Sequence, residues 1–419
     1  MKITILSLIF SPDNVSTAQI WAGIAEDLKS YGHEIRVITT TPHFHRDASM
    51  EAKQPLRKWF GRFIQRSEYA GIPVYHILMP DKSIWPPLRM LSWINFHIVA
   101  TLLGWFMRFK PDVVIAPSPP LTIGLNAWAI ASMRGSIGYI YNVQEIYPDI
   151  AVNLGIMRNR RVIGFFKWLE KLIYRKAAGV TSITPAMCAK IAERTEKAKV
   201  RLVPNFVDLS DVLKVERCND FAIANGLLDK FVMTYAGNMG VPQKLGVMVE
   251  LARRIPELTV LFVGGGGDAA RLKELAEGLS NVVFVDYQPI SMMPQIYAAS
   301  DICYVGQDPQ ACSDGIPSKI YRILGYKKPL VVLTRKDSDL AEFVRESKSG
   351  VILSEDIETA AKSVRDLMTK PLEIQEFGAA GYSYVKAAFA RSVVSKKYDD
   401  FCRDLRFSYQ NDMRKAELM

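Results

Sequence analysis

The sequence predicts two tandem α/β domains, each a doubly wound parallel sheet, and three observations carry that expectation. Short β-rich apolar runs alternate with amphipathic helical stretches from end to end. The alternation breaks once, near residues 203–208, and then begins again. The 419 residues, 49% hydrophobic and 23% charged, can fill two or three cores and exclude a disordered or collagen-like chain.

In the first domain the strand-like runs fall at residues 3–10, 35–40, 74–78, 113–116, 139–143, 180–183 and 200–203. A helix over 17–30 sets Ile20, Ile24 and Leu28 four apart, and one over 161–176 groups Phe165, Trp168, Leu169 and Leu172 on one side. The first ten residues read as a buried strand rather than a signal peptide, because Ser11-Pro12-Asp13-Asn14 stops the apolar run and no small-residue cleavage site follows. Runs at 231–236, 259–263, 282–285, 302–305 and 330–333 build the second domain. Pro204 and Asn205 end the last strand of the first. Boundaries are therefore expected at 1–205 and 206–385, with 386–419 forming a helix that crosses back to the first domain and a polar tail.

Five cysteines without a C-x-x-C spacing argue against a zinc or disulfide framework and suit a reducing cytosol. The net charge is +10 and unevenly placed: residues 1–208 carry 26 Lys+Arg against 15 Asp+Glu, the remainder 27 against 28. An anionic partner is expected on the first half, whether nucleic acid, membrane or phosphorylated substrate. Two segments favour membrane. Between residues 45 and 68, Lys53, Arg57, Lys58, Arg62 and Arg66 interleave with Trp59, Phe60 and Phe63. Each cation near an anionic bilayer contributes about 1 kcal/mol; the other reading is a solvated basic helix whose aromatics enter the core. The apolar stretch 90–107 has the minimal length of a span, but Asn95 and His97 interrupt it and the strand at 113–116 belongs to the same sheet as the first. It reads either as a helix buried on the sheet or as one presenting Trp93, Phe96 or Trp105 to headgroups.

Four strings carry chemistry. Gly237-Asn238-Met239-Gly240 follows a strand and lets backbone amides approach a phosphate or sugar oxygen. Gly264-Gly265-Gly266-Gly267-Asp268 also stands at a strand's carboxyl end, where ligands of open α/β sheets sit, but lacks dinucleotide spacing. Asp314-Gly315-Ile316-Pro317-Ser318-Lys319-Ile320-Tyr321 sets a hydroxyl, a helix start and an ammonium toward the sheet's mouth, an arrangement for diphosphate. Gln144-Glu145-Ile146-Tyr147-Pro148-Asp149 ends a strand with carboxylates that either bind a hydroxyl, act as a base, or cap the next helix.

Taken in order with Phe10-Ser11-Pro12-Asp13, Gly32-His33-Glu34-Ile35, Thr39-Thr40-Thr41-Pro42-His43, Lys110-Pro111-Asp112, Ser118-Pro119-Pro120 and Val203-Pro204-Asn205, these strings resemble the family 4 glycosyltransferases of the GT-B fold. The likeness is strongest to the colanic acid fucosyltransferase and O-antigen fucosamine transferase subgroup. It covers almost the whole chain. It implies transfer of a sugar, with retained configuration and no bound cofactor or metal, from a UDP- or GDP-sugar co-substrate held by the second domain. Ser318, Lys319 and, less directly, Lys244 would serve the diphosphate, and Tyr321 would join the donor-binding residues. Gly237 and Asn238 would border the sugar-phosphate, Gly264, Gly265 and Gly266 the base or ribose, and Asp314 the donor sugar. Asp13, Asn14 and His43 would lie on the acceptor side, where Glu145 orients the attacking hydroxyl. Two departures stand out: Arg322 occupies the place of the family's second glutamate, and Val15-Ser16-Thr17 replaces a glycine pair in the acceptor loop.

With the charged segments, the resemblance implies a peripheral enzyme on the cytoplasmic face of the inner membrane, acting on a polyprenyl-diphosphate-linked saccharide in cell-surface polysaccharide assembly. A nucleotide-sugar 2-epimerase of the same fold is the rival enzyme. A nucleic-acid-binding protein is suggested by charge alone, without a reader motif, so nucleic acid is not an expected partner.

Overall fold

The computed structural model describes every residue except 45, 62, 81–85, 154, 213, 309–314 and 418–419. The chain forms two compact units, one of Met1–Asn205 with Arg391–Met419 and the other of Phe206–Ala390. Assigning the C-terminal segment to unit 1 sharpens the charge separation. Unit 1 has 33 Lys+Arg against 19 Asp+Glu, a net of +14, and unit 2 has 20 against 24, a net of −4.

Among the described residues unit 1 holds nine strands: β1 Lys2–Leu6, β2 Glu34–Thr40, β3 Arg57–Phe60, β4 Ile64–Tyr69, β5 Ile72–Ile77, β6 Val113–Pro117, β7 Gly138–Val143, β8 Gly179–Ser182 and β9 Val200–Leu202. Their spatial order is β3-β4-β5-β2-β1-β6-β7-β8-β9. From β5 to β9 all pairings are parallel, while β3–β4 and β4–β5 are antiparallel. Strands covered on both faces read as continuous apolar runs, and β6 is buried at all of its positions. β3 at the sheet's edge is exposed at all of its own.

The helix Ser16–Ser30 is buried over most of its length because strands β2 and β5 take one side and the helix Arg391–Glu417 another. Trp21 meets Tyr398 with ring centroids 5.4 Å apart, and losing such a buried indole costs about 3–5 kcal/mol. Arg391 reaches Asp27 at 2.7 Å and Glu26 at 2.6 Å. His33 Nε2 lies 2.8 Å from Asp399 Oδ1 with both side chains nearly sealed from water. Hydrogen bonds from Lys396, His33 and Arg403 hold the Asp399 carboxyl down at about 2 against the upward push of burial.

No helix among the described residues is long and apolar enough to cross a membrane. The helix Pro86–Phe106 packs on the helix Ile123–Arg134 and on the sheet, so one stripe, Phe96, Ala100 and Leu103, is buried while Met90, Leu91, Trp93, Ile94, Ile98 and Phe106 are exposed. This corrects two of the three aromatics expected at headgroups. Phe96 belongs to the core, and Trp105 turns against it, its indole N–H donating to Ala129 O at 3.1 Å. The basic–aromatic segment is not a helix beyond Lys53, the last residue of the helix Ala48–Lys53. It continues as the β3–β4 hairpin, with Trp59, Phe60 and Phe63 exposed around its turn. An edge hairpin solvated on its outer side carries no helical period, and its alternation is too short to show in the sequence.

Unit 2 holds β10 Phe231–Ala236, β11 Leu258–Val263, β12 Val282–Val285, β13 Ile302–Gly306, β14 Leu330–Leu333 and β15 Gly350–Ile352 in the order β12-β11-β10-β13-β14-β15, parallel throughout. Every residue of β11 is buried. Helices on both faces close the core, as the doubly wound expectation requires.

Candidate functional site

In unit 2 the candidate site lies on the loops at the carboxyl ends of β10, β11 and β13. The β10 and β11 loops are zipped together by backbone: Gly237 N–H donates to Val263 O at 2.9 Å, Met239 N–H to Gly265 O at 2.7 Å and Asp268 N–H to Met239 O at 3.0 Å. That closeness demands glycine. At Gly264 (φ +125°) a Cβ would stand 2.3 Å from Gly237 O, and at Gly266 (φ +152°) 2.3 Å from Met239 O.

Lys319 opens the helix Lys319–Gly325, with Ser318 at its cap position. Its Nζ donates to Ala236 O at 3.2 Å and stands 3.8 Å from the Tyr235 ring centroid. A Cβ at Gly237 would lie 3.0 Å from this ammonium, so the glycine leaves room for it. The residue is half-buried, and desolvation by the protein packed around it pushes its pKa down to about 7. Among the described residues no carboxylate pairs with it. Lys244, by contrast, is tied to Asp308 at 3.0 Å, and Tyr304 donates to its carbonyl at 3.1 Å, holding its left-handed turn (φ +49°) beside Gly306. Gln307 fastens the next loop through Gly315 O at 2.8 Å.

Two expected donor residues fall differently. Tyr321 is 1% exposed, its ring stacked 4.8 Å from Phe389 in the core. Two residues along a helix is about 200° of rotation, so a lysine at the mouth turns this tyrosine away from it. Its expected donor contact is corrected to support of the helix. Asp314 lies outside the described residues, as does Arg62. Tyr287 was missed by sequence reasoning. Exposed after β12, it donates its hydroxyl to Gly265 O at 2.9 Å and lays its ring against Gly265. An aromatic directly beyond a parallel strand's carboxyl end was the available signal.

Unit 1 presents its candidates on loops after β1, β2, β6 and β7. Asp13 is buried and its Oδ2 accepts from the backbone N–H of His43 at 3.1 Å and of Phe44 at 2.9 Å. It therefore ties the β1 loop to the β2 loop. His43, also buried, has Nδ1 3.1 Å from both Thr40 Oγ1 and Thr41 O. Asn14 donates to Asp47 at 3.0 Å and accepts from Gln19 at 2.9 Å. A sealed polar chain stands behind them. Gln54 donates to Ser67 Oγ at 2.8 Å, Ser67 Oγ lies 2.7 Å from His76 Nε2, and His76 Nδ1 lies 3.0 Å from Thr40 O. Burial pushes His76 down to about 4, which keeps it neutral.

Glu145 follows β7. Its neighbour Gln144 is held by the Ser118 hydroxyl, the Asn142 side chain and Asn205 at 3.3, 2.6 and 3.1 Å. Glu145 itself reaches solvent, while the protein around it raises its carboxyl above the usual value by desolvation. Asp149 ion-pairs with Arg194, whose other nitrogen holds the buried Glu170 at 2.7 Å, so Asp149 anchors the loop and Glu145 is the carboxylate left to meet a substrate. The expected lipid-facing residues Lys53, Arg57, Lys58, Trp59, Phe63, Arg66 and Trp93 are all exposed. Among the described residues no group of three or more His, Cys, Asp or Glu is arranged to hold a metal.

Residues 17–205 match the family model described as Glycosyl transferase 4-like domain. The chain is 24% identical over 390 residues to the putative colanic acid biosynthesis glycosyl transferase WcaI of Escherichia coli, covering 88% of this chain and 93% of that one. It is 25% identical over 295 residues to the sulfoquinovosyl transferase SQD2 of Arabidopsis thaliana, covering 66% of this chain and 53% of the relative. Among solved structures it resembles Anabaena HepE in complex with UDP (TM-score 0.71, 13% identity, 96% of this chain and 100% of that one). It also resembles the sucrose-phosphate synthase of Thermosynechococcus elongatus (TM-score 0.66, 15% identity, 97% and 99%).

Proposed function

From the glycosyl transferase 4-like domain over residues 17–205 and the likeness to WcaI, we propose that the chain is a family 4 glycosyltransferase that moves a sugar from a nucleoside diphosphate sugar, UDP- or GDP-linked, to a hydroxyl of a polyprenyl-diphosphate-linked saccharide in cell-surface polysaccharide assembly. The observation that carries this reading is Lys319. An ammonium half-buried beside two glycine-opened loops, with no carboxylate partner among the described residues, is set to receive a ligand's negative charge. The name of the WcaI relative supports the polysaccharide setting, and the UDP complex of HepE supports a nucleoside diphosphate sugar as donor.

In the reaction the bond from the sugar's anomeric carbon to the leaving phosphate oxygen breaks. A bond from the acceptor oxygen forms on the same face, and the acceptor proton passes to that phosphate oxygen. Lys319 stabilises the charge appearing on the diphosphate, the work a metal does elsewhere. Ser318, Gly237 and Asn238 line the diphosphate and sugar-phosphate, and Asp314 holds the donor sugar. Gly264, Gly265 and Gly266 with Tyr287 border the base, and Lys244 acts on the diphosphate only if Asp308 releases it. Glu145 accepts a hydrogen bond from the attacking hydroxyl and fixes its direction, while Asn14 and His43 shape the acceptor's wall.

The enzyme works at the cytoplasmic surface of an anionic membrane as a peripheral protein. In the hairpin, register sets Arg57 opposite Arg66, a like-charge pair that costs stability in water and gains beside anionic headgroups. Calorimetry with UDP- and GDP-sugars, then turnover on a short polyprenyl-diphosphate acceptor, tests the assignment. Conversion of the donor without any acceptor would replace it with an epimerase, and no binding of any nucleotide sugar would remove it.

A further inference from the structure

The helix Arg160–Lys176 of unit 1 has a face that neither the hairpin nor the helix Pro86–Phe106 includes. Its sequence carries six cations, Arg160, Arg161, Lys167, Lys171, Arg175 and Lys176. Its single acid, Glu170, is buried and already occupied, accepting from Arg194 at 2.7 and 2.8 Å and from Tyr174 at 2.9 Å. Leu169, Ile173 and Tyr174 form the inner stripe and enter the core.

The outer stripe is Arg161, Phe165, Trp168 and Arg175, at i, i+4, i+7 and i+14 and so on one side of the helix, with Leu172 between them partly buried against the core. Phe165 is 54% and Trp168 58% exposed. Their rings lie 5.9 Å apart at 33°, an aromatic pair turned outward with a cation beyond each end. Ile156 and Val162 extend the apolar surface toward the helix start, which Asn159 fixes by accepting from Arg161 N–H at 2.9 Å.

We propose that this face is a second membrane-docking surface, with Phe165 and Trp168 seated in the headgroup layer of an anionic bilayer and Arg161, Lys171 and Arg175 on its phosphates, while Lys167 is held by Asp149 at 3.9 Å. Charge selects the occupant. The helix shows cations and no free acid, so a second copy docked on the same face would oppose like charges, whereas an acidic lipid surface complements them. Ring shape agrees, because an amphipathic indole and a phenyl side by side suit the interface between headgroup and acyl chain. The surface is separate from the hairpin and stands or falls without it.

Sedimentation with vesicles of phosphatidylcholine, alone or mixed with phosphatidylglycerol, tests it on the full chain. The wild type should partition onto the mixed vesicles, and Phe165→Ser/Trp168→Ser should weaken that about tenfold with an unchanged circular dichroism melt. If that variant partitions like the wild type while Trp59→Ser/Phe63→Ser is released, the helix face is not a docking surface and the hairpin assignment survives. If the wild type stays off anionic vesicles, both fail. A brominated-lipid quenching measurement adds a local readout: Trp168→Phe should remove part of the tryptophan quenching, and quenching identical to wild type would overturn the proposal. Release of the protein from vesicles by single-stranded RNA, with RNA binding lost in the Phe165/Trp168 variant, would reassign the face to nucleic acid.

Discussion

The candidate site of unit 2 is written in backbone, and that of unit 1 in side chains. Around Lys319, two loops touch through amides and carbonyls that only glycine lets so close, and one ammonium adds the charge. Around Glu145 the loops are spaced by Asp13, Gln144, Asn205, Gln54 and His76, each fastened by hydrogen bonds. A backbone cradle suits a ligand part that never varies, the diphosphate, because amides cannot be exchanged by mutation. A side-chain wall suits an acceptor that differs between enzymes, because each hydrogen bond can be re-chosen one residue at a time.

The contrast breaks most sharply at Lys319. Lys319→Ala should lower turnover on the order of 10²–10³-fold without loss of fold, since one preorganised charge at the leaving group is worth that much. Its pKa adds a sign. A pKa near 7 in the free protein rises when an anion binds, so binding takes up a proton. Affinity for UDP should therefore fall as pH rises above about 7, and calorimetry in buffers of different ionisation enthalpy should show the uptake in the wild type and not in Lys319→Met. Glu145→Gln should cost about 10²-fold in kcat with little change in donor affinity. The acid limb of the wild-type pH profile, placed above an ordinary glutamate's by desolvation, should vanish in that variant.

Gly266→Ala tests the backbone half directly. A Cβ pressed toward Met239 O at a positive φ should destabilise unit 2 by about 2 kcal/mol and weaken UDP binding, read by thermal shift with and without nucleotide. In unit 1, Asp399→Asn should cost about 2 kcal/mol near neutral pH. A carboxyl held down at about 2 contributes stability above its unfolded value, and that contribution is lost as pH falls through about 2. The variant's melting temperature should lack this acid dependence. Trp59→Ser/Phe63→Ser should have the smallest effect, about a fivefold loss of partition onto anionic vesicles with activity on a soluble acceptor retained.

The same contrast explains what could be read in advance. The chain positions of nearly all parallel strands and the two glycine turns after β10 and β11 were legible, since buried strands leave continuous apolar runs and tight turns leave glycines. Tyr321 misled because a motif read as a string ignores the helical rotation that turns it inward. The β3–β4 hairpin was illegible as strands: β3 is solvated along its length, so nothing in its side chains records the pairing. Asp13 looked like chemistry because an aspartate after a strand gives no sign that two amides, thirty residues on, will claim it.

The helix Arg391–Glu417 closes unit 1 only after the whole of unit 2 has been made. Trp21 and His33 emerge from the ribosome early, and their partners Tyr398 and Asp399 arrive after an intervening 185-residue domain. At the usual pace of translation that is a wait of roughly ten to forty seconds. Throughout it one side of the Ser16–Ser30 helix lacks its cover, while residues 1–205, with 26 Lys+Arg against 14 Asp+Glu, already display their positive charge and aromatics. The last helix is thus the final piece of unit 1, and ending the chain before Tyr398 would leave Trp21 and His33 without those partners.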